Sequence, residues 1–264
     1  MAKDKKEFLQ NLLSKAINLG EKTYYCAKKL IKKSFEIAEK LLAKLDKFDP
    51  SGNLKKRVIS GAVLIIVALY AIFYSKDLFV FIAIALTILM TKEWLDMTKN
   101  IANSQKWQLV GFFYILIPIY STVKIRFYDA DILFWMFSII WTTDIAAYFV
   151  GKAFGGKKLA PDISPNKTWS GLAGGVAGSA LIGIVSSLMF AGSAVFFVFV
   201  SILLSLIEQC SDLLESKFKR IFGVKDSGNL IPGHGGVLDR LDGLTLTAPA
   251  VLFLITVFSS QFGG

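Results

Sequence analysis

Long apolar runs separated by short, strongly polar segments dominate the chain. Seven runs stand out, at residues 58–74, 78–91, 109–123, 132–150, 172–189, 194–207 and 244–258. Several fall short of the ~20 residues of a full membrane span, so their helices should extend into flanking polar residues or sit short in the bilayer. Apolar runs this numerous, in a chain 54% apolar with 22 Phe among 264 residues, exceed what a soluble core of this size can bury. The pattern predicts an all-α polytopic transmembrane helical bundle of about seven spans. A different pattern precedes it. Over residues 1–47, apolar side chains including Leu9, Leu13, Ala16, Tyr24, Ala27, Ile31, Phe35, Ala38, Leu42 and Leu45 recur near helical spacing among many lysines. That reads as an amphipathic basic helix, interrupted near Gly20 and closed by the turn residues DPSG at 49–52. Two domains follow: a basic arm at 1–53 and an integral-membrane domain at 54–264.

Charge orients the bundle. With seven spans, residues 1–57, 92–106, 152–169 and 208–240 share one side and hold 27 of the 30 Lys and Arg, leaving Lys76, Lys124 and Arg126 for the other. Positive segments stay inside, so the N-terminus and all four polar segments are expected in the cytoplasm. The arm up to residue 57 carries 15 basic against 7 acidic residues and so supplies +8 of the net +10. Adhesion to an anionic lipid surface is the expected role, a partner-binding coiled coil the alternative, and nucleic acid is disfavoured. The first 50 residues hold no apolar h-region, so the first span is expected to do the targeting. Cys26 and Cys210 lack metal-ligand spacing and read as structural thiols.

Candidate chemistry lies at the ends of the spans. Asp144 sits in the otherwise apolar fourth span, where an ionisable group is costly unless it faces a cavity, a cation or a partner. The basic loop after it, with Gly155, Gly156, Lys157, Lys158 and Lys167, suits phosphate binding and equally suits plain topology. Gly171, Gly175 and Gly178 open the fifth span and favour close helix packing over a phosphate cradle. Glu208, Asp212 and Glu215 fall on neighbouring turns at the end of the sixth span, and Asp239 and Asp242 share a face at the start of the seventh. Carboxylates from two helix ends suit a hard cation bridging to phosphates. Between them, residues 216–242 read SKFKRIFGVKDSGNLIPGHGGVLDRLD, with five Lys or Arg, five Gly and the lone histidine, His234. His234 is open to a phosphate contact, proton transfer or a purely conformational role in its PGHGG turn. No GxSxG elbow, Walker loop or GxGxxG occurs.

This run resembles the signature of the phosphatidate cytidylyltransferase family, the CDP-diacylglycerol synthases. Ser216, Lys219, Arg220, Lys225, Asp226, Gly228, Pro232, His234, Gly235, Gly236, Asp239, Arg240 and Asp242 match without a gap. A second stretch from Asp144 to Gly171 matches too, including Ala147, Tyr148, Gly151, Phe154, Gly155, Lys158, Ser164, Pro165, Lys167, Thr168 and Trp169. So do LKKRVISG at 54–61 and Glu93 with Trp94. Ser211, Ile145 and Ser170 depart from the pattern, which usually has Gly, a small hydroxyl residue and an acid or amide there.

The resemblance implies an integral-membrane enzyme making CDP-diacylglycerol and pyrophosphate from CTP and phosphatidic acid, at the cytoplasmic face of a bacterial inner membrane. Placed on these residues, Asp212, Asp239 and Asp242 would hold Mg2+, with room for a second cation and with Asp144 as a further ligand candidate. Asp144, Lys219, Arg220, Lys225, Asp226, His234 and Arg240 would carry the catalytic roles. Ser164, Lys167, Ser216, Lys219, Arg220, Gly235 and Gly236 would contact substrate. The expected partners are CTP, phosphatidic acid and the bilayer, with no nucleic acid; a homodimer is compatible with these features. Rival readings are a polyprenol kinase, another CDP-lipid synthase, or an ion-coupled transporter using Asp144, though no inverted repeat supports the last.

Overall fold

Two units divide the chain, Met1–Val67 and Ala68–Gly264. The computed structural model describes residues 65–228 and 235–262, so the basic arm, the first seven residues of the first apolar run and His234 lie outside the described residues. In the second unit, α1 spans Lys76–Thr98, α2 Ser104–Tyr128 and α3 Ala130–Phe154. A β-hairpin of β1, Lys158–Ala160, and β2, Ser164–Thr168, leads to α4, Trp169–Met189, and α5, Ala194–Ile221. A four-residue α6, Leu238–Leu241, precedes α7, Leu244–Val257, and a 3-10 turn at Ser259–Phe262. Polar residues start most of the long helices by accepting amide protons the helix cannot use. Ser75 takes Leu78 N at 3.2 Å, Asp129 takes Ile132 N at 3.2 Å, Thr168 takes Gly171 N at 3.1 Å and Ser193 takes Phe196 N at 3.4 Å.

Six helical stretches among the described residues are long and apolar enough to cross a membrane: Lys76–Thr98, Ser104–Tyr128, Ala130–Phe154, Trp169–Met189, Ala194–Ile221 and Leu238–Val257. They match the second to seventh apolar runs, and the protein is a polytopic α-helical membrane bundle. Most absorb polar flanks, as the short runs require. The largest difference is in α5, whose apolar run stops at Ile207 while the helix continues to Ile221. Hydropathy misses this half because its inward face is polar. Glu208, Ser211, Glu215, Ser216 and Lys219 are buried there along with Ser201 and Ser205 nearer the membrane centre. The segment expected as a basic loop after α3 is in part an antiparallel hairpin, pairing Lys158 with Thr168 and Ala160 with Ser164.

Glycines set the spacing of the central helices. α4 packs on both α3 and α5. A Cβ at Gly171 would come 2.9 Å from the Ala147 carbonyl, and one at Gly175 would lie 3.0 Å from Gln209 Nε2 and 3.1 Å from the Thr143 carbonyl. The close-packing reading of these glycines therefore holds. Where the backbones touch, Thr143 Oγ1 meets Ser179 Oγ at 2.7 Å and donates to Ser205 Oγ at 3.1 Å, tying α3, α4 and α5 one residue below Asp144.

Two apolar clusters flank this contact. One, deep in the bundle, gathers Trp135, Met136, Ile139, Phe197, Val200, Leu204 and Val251. The other gathers Met90, Trp94, Tyr114, Ile115, Phe222, Val237 and Leu238. In the second, the Trp94 indole donates to the Trp107 carbonyl at 2.8 Å and stands edge-on to Phe218 and Phe222, both with centroids 5.4 Å away. Gly111 leaves the space that the Trp94 ring fills. This cluster clamps the polar half of α5 against α1 and α2. Substituting Gly183→Val, where a Cβ would sit 2.7 Å from the Phe197 carbonyl, should destabilise the detergent-solubilised protein by about 1–3 kcal/mol. Leu188→Ala on the outer surface should change the unfolding midpoint little, and thermal unfolding of both variants checks the contrast.

Candidate active site

Carboxyl groups from three helices meet where α5 loses its apolar character. Asp144 of α3, Glu208 and Asp212 of α5, and Asp242 at the break before α7 all lie within electrostatic range of one another. Lys167 of β2 enters the group, forming an ion pair with Asp212 and facing Asp144 and Glu208. Arg240 lies within range of Asp144 and Lys219 within range of Asp242. Local geometry fixes each acid. Ser216 Oγ donates to Asp212 Oδ1 at 3.3 Å, and the Gly243 amide donates to Asp242 Oδ1 at 2.8 Å. Ser211 holds the break itself. Its hydroxyl donates to the Asp242 carbonyl and accepts the Leu246 amide at 3.1 Å, so this departure from the family pattern has a structural use.

The donor set fits a hard cation. Carboxylate oxygens are the ligands Mg2+ takes, and the buried Glu208 carboxyl meets no amide, hydroxyl or ammonium donor among the described residues, only the carboxyl of Asp144. No group of three acids or imidazoles among the described residues encloses an ion unaided. That suits Mg2+, which commonly relies on one or two carboxylates and completes its shell with water and substrate phosphate.

A cavity of about 510 Å3 opens beside the acids. Asp144 lines it together with Lys152, Lys158 and Lys167, while Tyr148, Asn166, Thr168 and Gln209 complete its polar wall. Gly155 and Gly156, at φ 59° and 99°, let the chain turn off α3 without side chains crowding this space. Ser170 ties the turn down by donating to the Gly155 carbonyl. An acid at one edge and three ammonium groups around the rest make a site for a polyanion.

A second network secures the loop between α5 and α6. Asp239 accepts Lys219 Nζ at 2.7 Å, the Ser227 amide at 3.0 Å and the Gly236 amide at 2.8 Å. Lys219 also reaches Glu215 at 3.1 Å. Glu93 of α1 closes the same loop from the other side, accepting Ser227 Oγ at 3.1 Å, Val237 N at 2.8 Å and Leu238 N at 2.9 Å. Gly235, at φ 84°, and Gly236 pass so close that a side chain on either would meet Asp239, Glu93 or Ser227. Asp239 and Asp242, read as one pair from their spacing, thus face different partners.

Most of the remaining sequence candidates fall around these two networks. Ser164 begins β2, and Arg220 donates to the Ile163 carbonyl at 3.2 Å and the Val224 carbonyl at 3.0 Å, joining α5 to the hairpin tip. Lys225 and Asp226 are exposed beyond the end of α5. Sequence reasoning matched Glu93 to the family, marked Ser211 as a departure from it and weighed Lys152 only as an ion-pair partner of Asp144; nothing in the pattern marked Gln209, and Glu93, two residues past the apolar run at 78–91, carried no sign of its burial.

Fold and site together define a polytopic membrane protein with a lysine-lined cavity beside clustered acids at one end of its bundle. The model of the cytidylyltransferase family matches residues 107–258. The chain is 42% identical over 216 residues to the phosphatidate cytidylyltransferase of Rickettsia typhi, covering 78% of this chain and 93% of that protein. It is 41% identical over 222 residues to the phosphatidate cytidylyltransferase of Rickettsia bellii, covering 80% and 94%. With that of Brucella suis the identity is 44% over 179 residues, covering 66% and 63%. The chain belongs to the cytidylyltransferase family.

Glu93 lies outside residues 107–258, which the family model matches, so its clamp is a separate test of the site's architecture. Glu93→Ala leaves three donors to find other partners, at about 1–3 kcal/mol for each that stays buried and unpaired. The expected result is a lowered unfolding midpoint and faster amide exchange at Ser227, Val237 and Leu238, read by hydrogen exchange with mass spectrometry.

Proposed function

We propose that the chain transfers the cytidylyl group of CTP to phosphatidic acid, forming CDP-diacylglycerol and pyrophosphate at the cytoplasmic face of the inner membrane. The observation that supports this reading is the lysine-lined cavity at one end of an apolar bundle, with Asp144 on its wall and Glu208, Asp212 and Asp242 within electrostatic range of Asp144. Relatives named phosphatidate cytidylyltransferase, similar over most of the chain, supply the substrate class. The orientation rests on the charge asymmetry of the sequence, in which 27 of 30 Lys and Arg fall in the segments expected in the cytoplasm.

In the reaction a phosphate oxygen of phosphatidic acid attacks the α-phosphorus of CTP. One P–O bond forms there as the bond to the bridging oxygen breaks, and the pyrophosphate departs with that oxygen and its electron pair. No enzyme nucleophile is needed. The chain's work is to bring two polyanions together and hold the developing charge. Lys152, Lys158 and Lys167 surround the cavity where the triphosphate would lie, while the acyl chains stay among the helices. Asp212, with either Asp144 or Asp242 beside it, would hold Mg2+, which when bound offsets the charge of both phosphates. Asp239, whose oxygens already accept from Lys219, Ser227 and Gly236, is assigned to orienting Lys219 and the loop rather than to the cation.

The purified protein in detergent, given Mg2+, CTP and phosphatidic acid, should form CDP-diacylglycerol. Folded, lipid-supplied protein that makes none would sink the proposal, and phosphoryl transfer to a polyprenol in the same assay would favour the kinase rival. Asp212→Asn should lower kcat by about 100-fold or more, roughly 3 kcal/mol of barrier, with little change in the melting temperature. Chelation by EDTA should abolish turnover and added Mg2+ restore it.

A further inference from the structure

We infer that Gln209 reads the nucleobase of the substrate, its Oε1 accepting a hydrogen bond from the exocyclic amine of cytosine. This rests on the cytidylyl-transfer reading just given. The cavity of about 510 Å3 falls within the ~300–1,000 Å3 of pockets that enclose small ligands, so it has room for a base as well as phosphates. Its three lysines can only donate, which suits phosphate but not an amine. Most other polar groups of its wall are engaged or exposed. Thr168 Oγ1 accepts the Gly171 amide at 3.1 Å and meets Ser170 Oγ at 3.0 Å, Asp144 stands with the other acids, and Tyr148 and Asn166 are exposed. Gln209 remains, a neutral amide only 5% exposed.

Helix α4 fixes which way this amide points. Gln209 Nε2 donates to the Leu172 carbonyl at 3.4 Å, and a carbonyl can take only the nitrogen there. Gly175 gives the amide its place, since a Cβ on it would stand 3.0 Å from Nε2. The oxygen is thus left as the acceptor that Gln209 offers to the cavity it lines. A glutamine free to rotate could turn either its oxygen or its nitrogen toward a ligand and so serve cytosine and uracil alike. One held by Leu172 favours the 4-amino group of cytosine, because the 4-oxo group of uracil would face a second acceptor. Ala147, Gly171 and Leu172 line the same cavity and supply small and apolar surface for the faces of a pyrimidine ring.

The test compares kcat/KM for CTP, dCTP and UTP in the purified full-length protein with Mg2+ and phosphatidic acid, reading nucleotidyl transfer to the lipid. Wild-type protein should favour CTP over UTP, and Gln209→Met, which keeps the length of the side chain without its amide, should lower that preference about tenfold or more. The ratio of CTP to dCTP should not move. Should that variant not fold, Gln209→Asn, which withdraws the same amide by one methylene, should lower the CTP preference in the same direction. A wild type that uses CTP and UTP equally well, an unchanged CTP-to-UTP ratio in the folded variant even where both rates fall, or a shift in the CTP-to-dCTP ratio instead, overturns the inference and leaves cytidylyl transfer standing. No CDP-diacylglycerol from CTP in folded wild-type protein overturns the transfer reading and the inference together.

Discussion

Charged groups buried at the end of an apolar bundle must be matched by partners at fixed positions, and the rest of this structure serves that requirement. A carboxylate in surroundings of low polarity is tolerated only where amides, ammonium groups or a cation face it. The helices cannot slide or tilt freely without separating Lys167 from Asp212, or Lys219 from Asp239 and Glu215. Close contact of α3, α4 and α5 is what holds these distances. Glycines on α4 bring the backbones together, and the Thr143, Ser179 and Ser205 hydroxyls lock the contact immediately below the acids.

The two charged networks divide the labour. Glu93, Asp239, Lys219 and Glu215 use their oxygens and ammonium group largely on each other and on the amides of Ser227, Gly236, Val237 and Leu238. Asp144, Glu208, Asp212 and Asp242 are under-matched by comparison, with Lys167 standing among them. Carboxyls held close with too few partners attract cations and, through them, phosphate. Ser211 joins the networks mechanically. By taking up the backbone groups freed where α6 gives way to α7, it lets Asp239 and Asp242 point to separate tasks although only two residues stand between them.

Much of the fold was legible in the chain because the bilayer imposes a simple rule on its residues. Six of the expected spans appear among the described residues at the expected places, and the glycine run of α4 packs helices as its composition implies. Where the reading fell short, the physical cause is specific. Hydropathy ends α5 at Ile207, yet the helix runs on to Ile221 because its polar face is buried against partners from α1, β2 and α6. The hairpin of β1 and β2 was invisible for a similar reason. Its strands are three and five residues long and hold a register irregularity, too short for any alternation to show.

The site divides in the same way. Which residue types would do chemistry was set by the sequence alone, since acids, lysines and glycines crowded at span ends in an apolar chain have little other use. So were the membrane architecture and the family motif, both written in contiguous residues. Pairings across the chain were decided only in three dimensions. Glu93 meets Val237 and Leu238 from far upstream, Lys167 meets Asp212 across a whole helix, and Glu208 meets the Asp144 carboxyl from a different helix. Spacing along one helix reports which side chains share a face, but what that face meets depends on helices that pack from elsewhere in the chain.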